Sequence, residues 1–204
     1  MRVVVTRAET QAEALVARLE ALGHEVVRCP LIRIEPLGDE PLDLSGYDWV
    51  VVTSPNGADE IARRLAEPPR HFAAIGPATA EALLGHGYAP DLVARVHTQE
   101  GLRDELPPGR TLLAAAEGAR QGVIEAEFLP LYRTVELKPP APEGDVALLA
   151  SASAARGLAA TGARMPVVSI GPQTSEAARA AGFDVLAEAT THDLDGLVAA
   201  LQSL

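Results

Sequence analysis

Two stretches of the chain carry the same pattern 95 positions apart, Ile75-Gly-Pro-Ala-Thr-Ala-Glu-Ala82 and Ile170-Gly-Pro-Gln-Thr-Ser-Glu-Ala177. In each, a short apolar run (Phe72 to Ile75, Val167 to Ile170) meets Gly-Pro, then a Thr, then alanine-rich sequence with helical spacing. This reads as strand, tight turn and helix start. Gly allows close backbone approach, and Pro suits the first turn of a helix, where its missing N–H is not needed. The turn presents backbone N–H groups at the carboxyl end of a strand, and with the helix dipole behind them such groups bind anions. Gly76, Thr79, Gly171 and Thr174 are therefore candidate anion-binding residues. For one copy alone the commoner reading is a structural αβ corner with a capping Thr; two copies at one offset favour a shared purpose.

The elements that position these corners repeat as well. Without a gap, 12 of the 32 positions from Ile75 to Leu106 are identical at the same offset, among them His97 and His192, and Gly101-Leu102 and Gly196-Leu197. Upstream, Val50-Val-Val-Thr-Ser-Pro-Asn-Gly-Ala58 is answered by Ala147-Leu-Leu-Ala-Ser-Ala-Ser-Ala-Ala155, and Pro30-Leu-Ile-Arg-Ile-Glu35 by Pro130-Leu-Tyr-Arg-Thr-Val-Glu136. The period is far too long for a solenoid, so the chain reads as one module duplicated. His97 and His192 lie in loops before the last helix of each half, which suits helix capping better than catalysis.

Taken in order, Arg2 to Thr6 is a continuous apolar strand of the kind buried on both faces of a parallel sheet. Glu9 to Leu22 has apolar residues at Ala12, Leu15, Val16, Leu19 and Leu22 and stops at Gly23, a helix, and His24 to Cys29 is a second strand. Such a β-α-β opening belongs to the doubly wound α/β class, whose ligands sit beyond the carboxyl ends of the strands. Arg7 falls at such an end. Pro30 to Pro36 and Phe128 to Leu137 are extended, and the stretches Leu37 to Gly46 and Pro139 to Gly144 read as linkers. Asp48 to Val52 is a strand, and Thr53 or Ser54 caps the helix from Ala58 to Leu65, with Pro55 in its first turn. Thr111 to Ala115 is another strand, followed after Arg120 by a helix shorter than its counterpart. Strands at 146–150 and 167–170 and helices at 153–160, 173–181 and 194–203 then repeat the first half.

Composition excludes several functions. At 204 residues, with 48% hydrophobic and 22% charged residues, the chain is an ordinary globular protein, and a duplication favours two small domains over one large one. A formal net charge of −11 argues against a nucleic-acid partner. The single Cys29 excludes an internal disulfide and reads as a small buried hydrophobe, and no C-x-x-C or H-x-x-H pair signals a metal. Lys138 is the only lysine and follows Val-Glu-Leu rather than a glycine loop, which excludes a P-loop; no G-x-G-x-x-G supports a dinucleotide cofactor. The start, Met1-Arg-Val-Val-Val, is too short an apolar run for a signal peptide or a membrane span, so a cytoplasmic location is expected.

The ordered set V-V-V-T-R at 3–7, V-V-V-T-S-P-N-G-A at 50–58, A-I-G-P-A-T-A-E-A at 74–82, P-L-Y-R-T-V at 130–135 and S-I-G-P-Q-T-S-E-A at 169–177 resembles the uroporphyrinogen-III synthase family over nearly the full length. The resemblance implies two similar doubly wound parallel-sheet α/β domains joined by a two-stranded extended linker, with the active site in the cleft between them. Residues 1–34 plus 138–204 would form the first domain, 37–131 the second, and 31–37 and 131–138 the linker strands. Departures are the shortened segments after Leu65 and Arg120, and Ala150-Ser151 where the family commonly has Thr-Ser.

The implied reaction closes the linear tetrapyrrole hydroxymethylbilane with inversion of its last ring. Loss of the hydroxyl gives a reactive azafulvene, and folding of the substrate forces attack at the substituted carbon of the last ring, through a spiro intermediate. No cofactor is required, since positioning and electrostatics can supply most of such an effect. An octacarboxylate entering a chain of charge −11 needs local compensation. It is expected from backbone N–H groups at four strand-to-helix corners: Ser54, Asn56 and Gly57; Gly76 and Thr79; Ser151 and Ser153; Gly171 and Thr174. Arg7, Arg120 and Arg156 are added from strand ends or adjacent turns, each of them equally readable as a solvated surface charge. Tyr132 is the candidate catalytic residue: it stands where the first copy has Ile32, it matches the family's linker tyrosine, and its phenol could donate a proton to the departing hydroxyl. The alternative is a linker Tyr packed on a domain face. The implied protein is a monomer, in transient contact at most with the upstream pathway enzyme, without nucleic-acid or membrane partners. Two competing classes are a non-catalytic two-lobed binding protein for an anionic small molecule, and a regulatory domain descended from an enzyme.

Overall fold

Four-residue apolar runs such as Trp49–Val52 and Val146–Leu149 are buried at every position, which requires a sheet covered on both faces. The computed structural model describes residues 1–204, the side chain of Thr10 excepted. The chain begins with β1 (Arg2–Val5), α1 (Glu9–Ala21), β2 (Glu25–Arg28), β3 (Ile32–Pro36), β4 (Leu42–Asp43) and β5 (Trp49–Val52). Next come α2 (Pro55–Arg64), β6 (Leu65–Glu67), β7 (His71–Ala74), α3 (Pro77–Gly85), β8 (Leu92–Val93), α4 (Gln99–Glu105), β9 (Thr111–Ala116) and β10 (Glu127–Glu136). It closes with β11 (Val146–Leu149), α5 (Ala152–Ala160), β12 (Val167–Ser169), α6 (Pro172–Ala180), β13 (Val185–Glu188) and α7 (Leu194–Gln202). The fold is α/β with parallel sheets, and the chain divides into two compact units, Met1–Arg33 with Val135–Leu204, and Ile34–Thr134.

In the first unit the sheet order is β13-β12-β11-β1-β2, with every neighbouring pair parallel. Alternate residues of a strand face opposite sides, and the core divides accordingly. Val3, Val5, Val146 and Leu148 pack with Leu15, Val16 and Leu19 of α1 and Leu197, Val198 and Leu201 of α7. Val4, Ala147, Leu149 and Val167 pack on the other face with Ala155 and Leu158 of α5 and Ala178 of α6.

The second unit has the order β3-β10-β9-β5-β7-β8, so that β9, β5, β7 and β8 stand in the places of β1, β11, β12 and β13. One face carries α2 and α3 through Ala58, Ile61, Ala80 and Leu83; the other carries Leu102 of α4 and Ile124. The short helix expected after Arg120 is not formed. Glu117–Ala126 runs as turns and bends, and Ile124, with the half-buried Ala119 and Ala126, packs into the core in its place.

Four helices end alike. Gly23, Gly87, Gly162 and Gly182 follow α1, α3, α5 and α6 with φ of 80°, 88°, 82° and 87°, the left-handed position that favours glycine after a helix C-terminus. The stretch from Leu37 to Gly46, read from sequence as a linker, contains β4, which pairs in parallel with β6. Leu42 and Leu44 are buried in the second unit's core. Arg64 holds this segment, donating to the carbonyls of Glu40 (2.9 Å) and Leu37 (3.4 Å). No helix is long and apolar enough to cross a membrane among the described residues.

Candidate active site

In the first unit the strand order reverses between β1 and β11, and a crevice at the carboxyl ends of the strands beside such a switch point is where doubly wound sheets bind ligands. A cavity of about 480 Å³ opens there, lined among others by Thr6, Arg7, Lys138, Ser151, Ser153 and Arg156. Its walls are fixed by main-chain demands. Thr6 Oγ1 donates to the Leu148 carbonyl (3.0 Å), tying the end of β1 to β11. Ser151 sits at the N-cap of α5 in extended conformation, its Oγ accepting from Ala154 N–H (3.1 Å) and lying 2.9 Å from Ser153 Oγ. A side chain at Gly157 would place its Cβ 3.2 Å from Leu31 Cδ1, so α5 lies close to Leu31 at the cavity edge. Arg7 is half-buried and donates from Nε to the Gln11 carbonyl (3.3 Å); burial lowers its pKa below the usual guanidinium value.

In the second unit the matching place is the end of β5. Ser54 is the N-cap of α2, with Pro55 in the first turn and Ser54 Oγ accepting from Gly57 N–H (3.1 Å). Gly57 is buried, and a Cβ there would stand 3.3 Å from Val52 Cγ1 and 3.4 Å from Ser54 Oγ. Asn56 is half-buried beside it. Tyr132 comes from β10, whose pairing with β9 shifts register between Pro130 and Tyr132. The proline cannot donate to the ladder, and a bulge of this kind re-aims side chains. As a result the consecutive residues Leu131 and Tyr132 are both buried in one core cluster. The phenol oxygen of Tyr132 lies 2.7 Å from Ser54 Oγ.

The two Gly-Pro corners have matching geometry. Gly76 and Gly171 are N-caps with φ of −179° and 168°, extended conformations open to any residue. What excludes a side chain is a histidine: a Cβ at Gly76 would lie 3.0 Å from His97 Cγ, and one at Gly171 3.0 Å from His192 Cδ2. The expectation that these histidines cap the following helices is corrected. Thr98 and Asp193 are the caps, accepting from Gly101 N–H (3.1 Å) and Gly196 N–H (2.7 Å), because the short polar side chain directly before each helix reaches the N3 amide. The capping Thr of the corners is corrected too. Neither N-cap has a side-chain capping bond, and Thr79 and Thr174, at the third helical position, are buried at 2% and 4% exposure.

Arg120 is exposed and paired with Glu100, its two terminal nitrogens 2.9 and 3.1 Å from the two carboxylate oxygens. That pairing holds the Glu100 carboxyl below the usual range and raises the guanidinium pKa. Residues that sequence reasoning missed include Glu100 and Lys138, the latter visible in advance only as the sole lysine. It also missed a buried chain from Ser169 Oγ to Ser175 Oγ (2.5 Å), which in turn donates to Glu188. The second unit has Ala74, Ala80 and Val93 at the positions that answer these three, and no periodicity signals the difference.

A family model described as Uroporphyrinogen-III synthase HemD matches residues 13–199. The uroporphyrinogen-III synthase of Synechococcus elongatus is 27% identical over an alignment of 251 positions covering 98% of this chain and 94% of the relative. A putative uroporphyrinogen-III synthase of Methanocaldococcus jannaschii is 31% identical over 113 residues, 52% of this chain and about half, 47%, of that protein. In fold, the chain resembles the crystal structure of a mutant uroporphyrinogen III synthase from Thermus thermophilus, with a TM-score of 0.59 and 18% identity over the full length of both chains. Because the family model spans both parallel-sheet units and nearly the whole sequence, the chain belongs to the uroporphyrinogen-III synthase family.

Proposed function

We propose that this chain acts as its family name states, closing hydroxymethylbilane to uroporphyrinogen III with inversion of ring D, and does so without a cofactor. The observation that carries the reading is the family match over residues 13–199, which takes in the four corners and Tyr132. The chemistry is compatible with a cofactor-free site: water leaves, the substituted carbon of ring D bonds to the freed methylene, the older methylene bond at that carbon breaks and re-forms at the ring's other α-carbon, which loses its proton, and nothing is oxidised or reduced overall.

Tyr132 and Ser54 together carry two hydroxyl protons and use one between them. Since Ser54 Oγ already accepts from Gly57 N–H, it is well placed to donate to Tyr132, leaving the phenol proton for the departing hydroxyl. In this reading Arg7 and Arg156, with the corners at Ser54–Gly57, Gly76–Thr79, Ser151–Ser153 and Gly171–Thr174, hold substrate carboxylates, mainly through backbone N–H groups. Arg120 joins them by exchanging Glu100 for a substrate carboxylate, and since exposed ion pairs contribute only about 0.2–1 kcal/mol the exchange costs little.

The test is isomer analysis. Purified protein is supplied with enzymatically generated hydroxymethylbilane, and the products are oxidised and separated. Type III uroporphyrin in excess over the spontaneous type I isomer supports the reading; type I alone, at the uncatalysed rate, overturns it.

A further inference from the structure

The 17 basic residues of the chain face 28 acidic ones, and most arginines are held by a carboxylate. Arg28 pairs with Glu13, Arg63 with Glu60, Arg110 with Glu127, Arg120 with Glu100 and Arg133 with Glu35. The cavity of the first unit departs from this. It gathers Arg7, Arg156 and Lys138, with Glu136 as the one acidic residue in its lining. Among the described residues neither Lys138 nor Arg156 forms an ion pair or a side-chain hydrogen bond. Arg7 meets a backbone carbonyl rather than a carboxylate. Clustered cations repel one another, and in an acidic chain such a cluster left without carboxylate partners is a site that an incoming anion completes.

The backbone brings the three together from separate elements. Arg7 follows β1 at its carboxyl end. Arg156 lies one turn into α5, whose N-terminus adds positive potential at the same end of the sheet. Lys138 is carried in by the strand end after β10, where Leu137 N–H donates to the Leu31 carbonyl (2.8 Å) and Leu31 N–H in turn donates to that of Thr6 (3.3 Å). The lysine is a compact point charge with three donors on a flexible stem, able to follow a carboxylate that moves during ring closure, which a planar guanidinium does less well. At about 480 Å³ the cavity falls within the range of about 300–1,000 Å³ typical of small-molecule pockets, room for one substituted ring rather than for a whole tetrapyrrole. Glu136 adds an acceptor suited to a pyrrole N–H and repels small dianions.

We propose that this cavity is a carboxylate subsite that takes the acidic arms of one pyrrole ring, with Arg7, held by its bond to the Gln11 carbonyl, as its fixed cation and Lys138 and Arg156 as its free ones. The proposal rests on the substrate reading given above, and its test separates the two. Because Lys138 is the only lysine, reductive methylation with ¹³C-formaldehyde labels just two amines, Lys138 and the chain terminus, and keeps both charges. The labelled protein is titrated with a monopyrrole bearing one acetate and one propionate arm, and separately with inorganic phosphate. A saturable shift of the Lys138 methyl signal with the monopyrrole, while the terminal signal and the phosphate titration stay flat, is the expected result. An unmoved Lys138 signal overturns the subsite, and an equal response to phosphate overturns its selectivity for acidic pyrroles. In unlabelled protein, Lys138→Ala raises KM for hydroxymethylbilane about ten- to a hundredfold over wild type with kcat within twofold; an unchanged KM overturns Lys138's part. A saturable Lys138 shift in a protein that makes no type III isomer upholds the subsite and removes the proposed reaction. An active protein with an unmoved Lys138 does the reverse.

Discussion

Ser54 Oγ and Tyr132 OH are hydrogen-bonded at 2.7 Å, so the cap of α2 and the phenol of the bulged strand β10 form one unit. Tyr132→Phe is expected to lower the rate of type III formation by about 10²- to 10⁴-fold without abolishing it, since a general acid contributes about that much and positioning remains. The same change removes a partly buried hydrogen bond, with a stability cost of roughly 0.5–1.5 kcal/mol, which urea denaturation measures separately. A rate equal to wild type under conditions where chemistry limits turnover would remove Tyr132 from the mechanism and leave it a core residue.

At the two Gly-Pro corners, a methyl group at Gly76 would stand 3.0 Å from Cγ and 3.3 Å from Cβ of the exposed His97, and one at Gly171 3.0 Å from Cδ2 of the exposed His192. The extended backbone accepts alanine, but each histidine must give by a few tenths of an ångström, so Gly76→Ala and Gly171→Ala should each cost roughly 1–3 kcal/mol of stability. If the corners hold carboxylates through their amides, KM should in addition rise about tenfold or more, the scale of one hydrogen bond to a charged group. Thr79→Val and Thr174→Val serve as companions: a raised KM in a stable protein assigns the buried hydroxyls a part in binding. Wild-type KM in all four variants would mark the corners as folding elements alone.

For Arg120, the informative change is in its partner. Glu100→Gln removes the carboxylate that neutralises the guanidinium, and the freed charge should lower KM for the octacarboxylate about two- to fivefold, in keeping with the weak energy of an exposed pair. Steady-state kinetics at low ionic strength is the measurement, and a KM that does not fall removes Arg120 from the substrate site.

The equivalent helices α4 and α7 are capped by different chemistry, Thr98 in one and Asp193 in the other. The Gly196 N–H, the largest influence, holds the Asp193 carboxyl below its usual range. A carboxylate with a depressed folded pKa stabilises above its unfolded value and loses that contribution as pH falls through the folded one. Thermal unfolding of wild type should therefore weaken on acidification below about pH 4 more than that of Asp193→Asn, whose amide oxygen still accepts but does not titrate. Parallel pH profiles for the two proteins would contradict this.

Much of the architecture lies in local sequence. Val3–Val5 and Val50–Val52 are continuous apolar runs that only a doubly covered parallel sheet can bury, the spacing of Ala12, Leu15, Val16 and Leu19 makes a one-faced helix, and Ser54 followed by Pro55 marks a cap; these follow from side-chain periodicity and from backbone amides that need a partner. The repeat at an offset of 95 likewise announced that Gly76 and Gly171 share a geometry, though not that a histidine is what keeps them glycine, because His97 is brought there only by the return of the chain after β8. Short pairings such as β4 with β6 leave no periodic trace, and a segment like Glu117–Ala126 gives up a helix while Ile124, with Ala119 and Ala126, packs into the core. Which polar groups meet was decided by the tertiary structure alone. Tyr132 reaches Ser54 across 78 positions through a bulge, Arg120 is taken by Glu100, and Lys138 enters a cavity built from four separate stretches of chain. Long-range contacts of this kind depend on strand order and register, and no local preference of the residues involved encodes them.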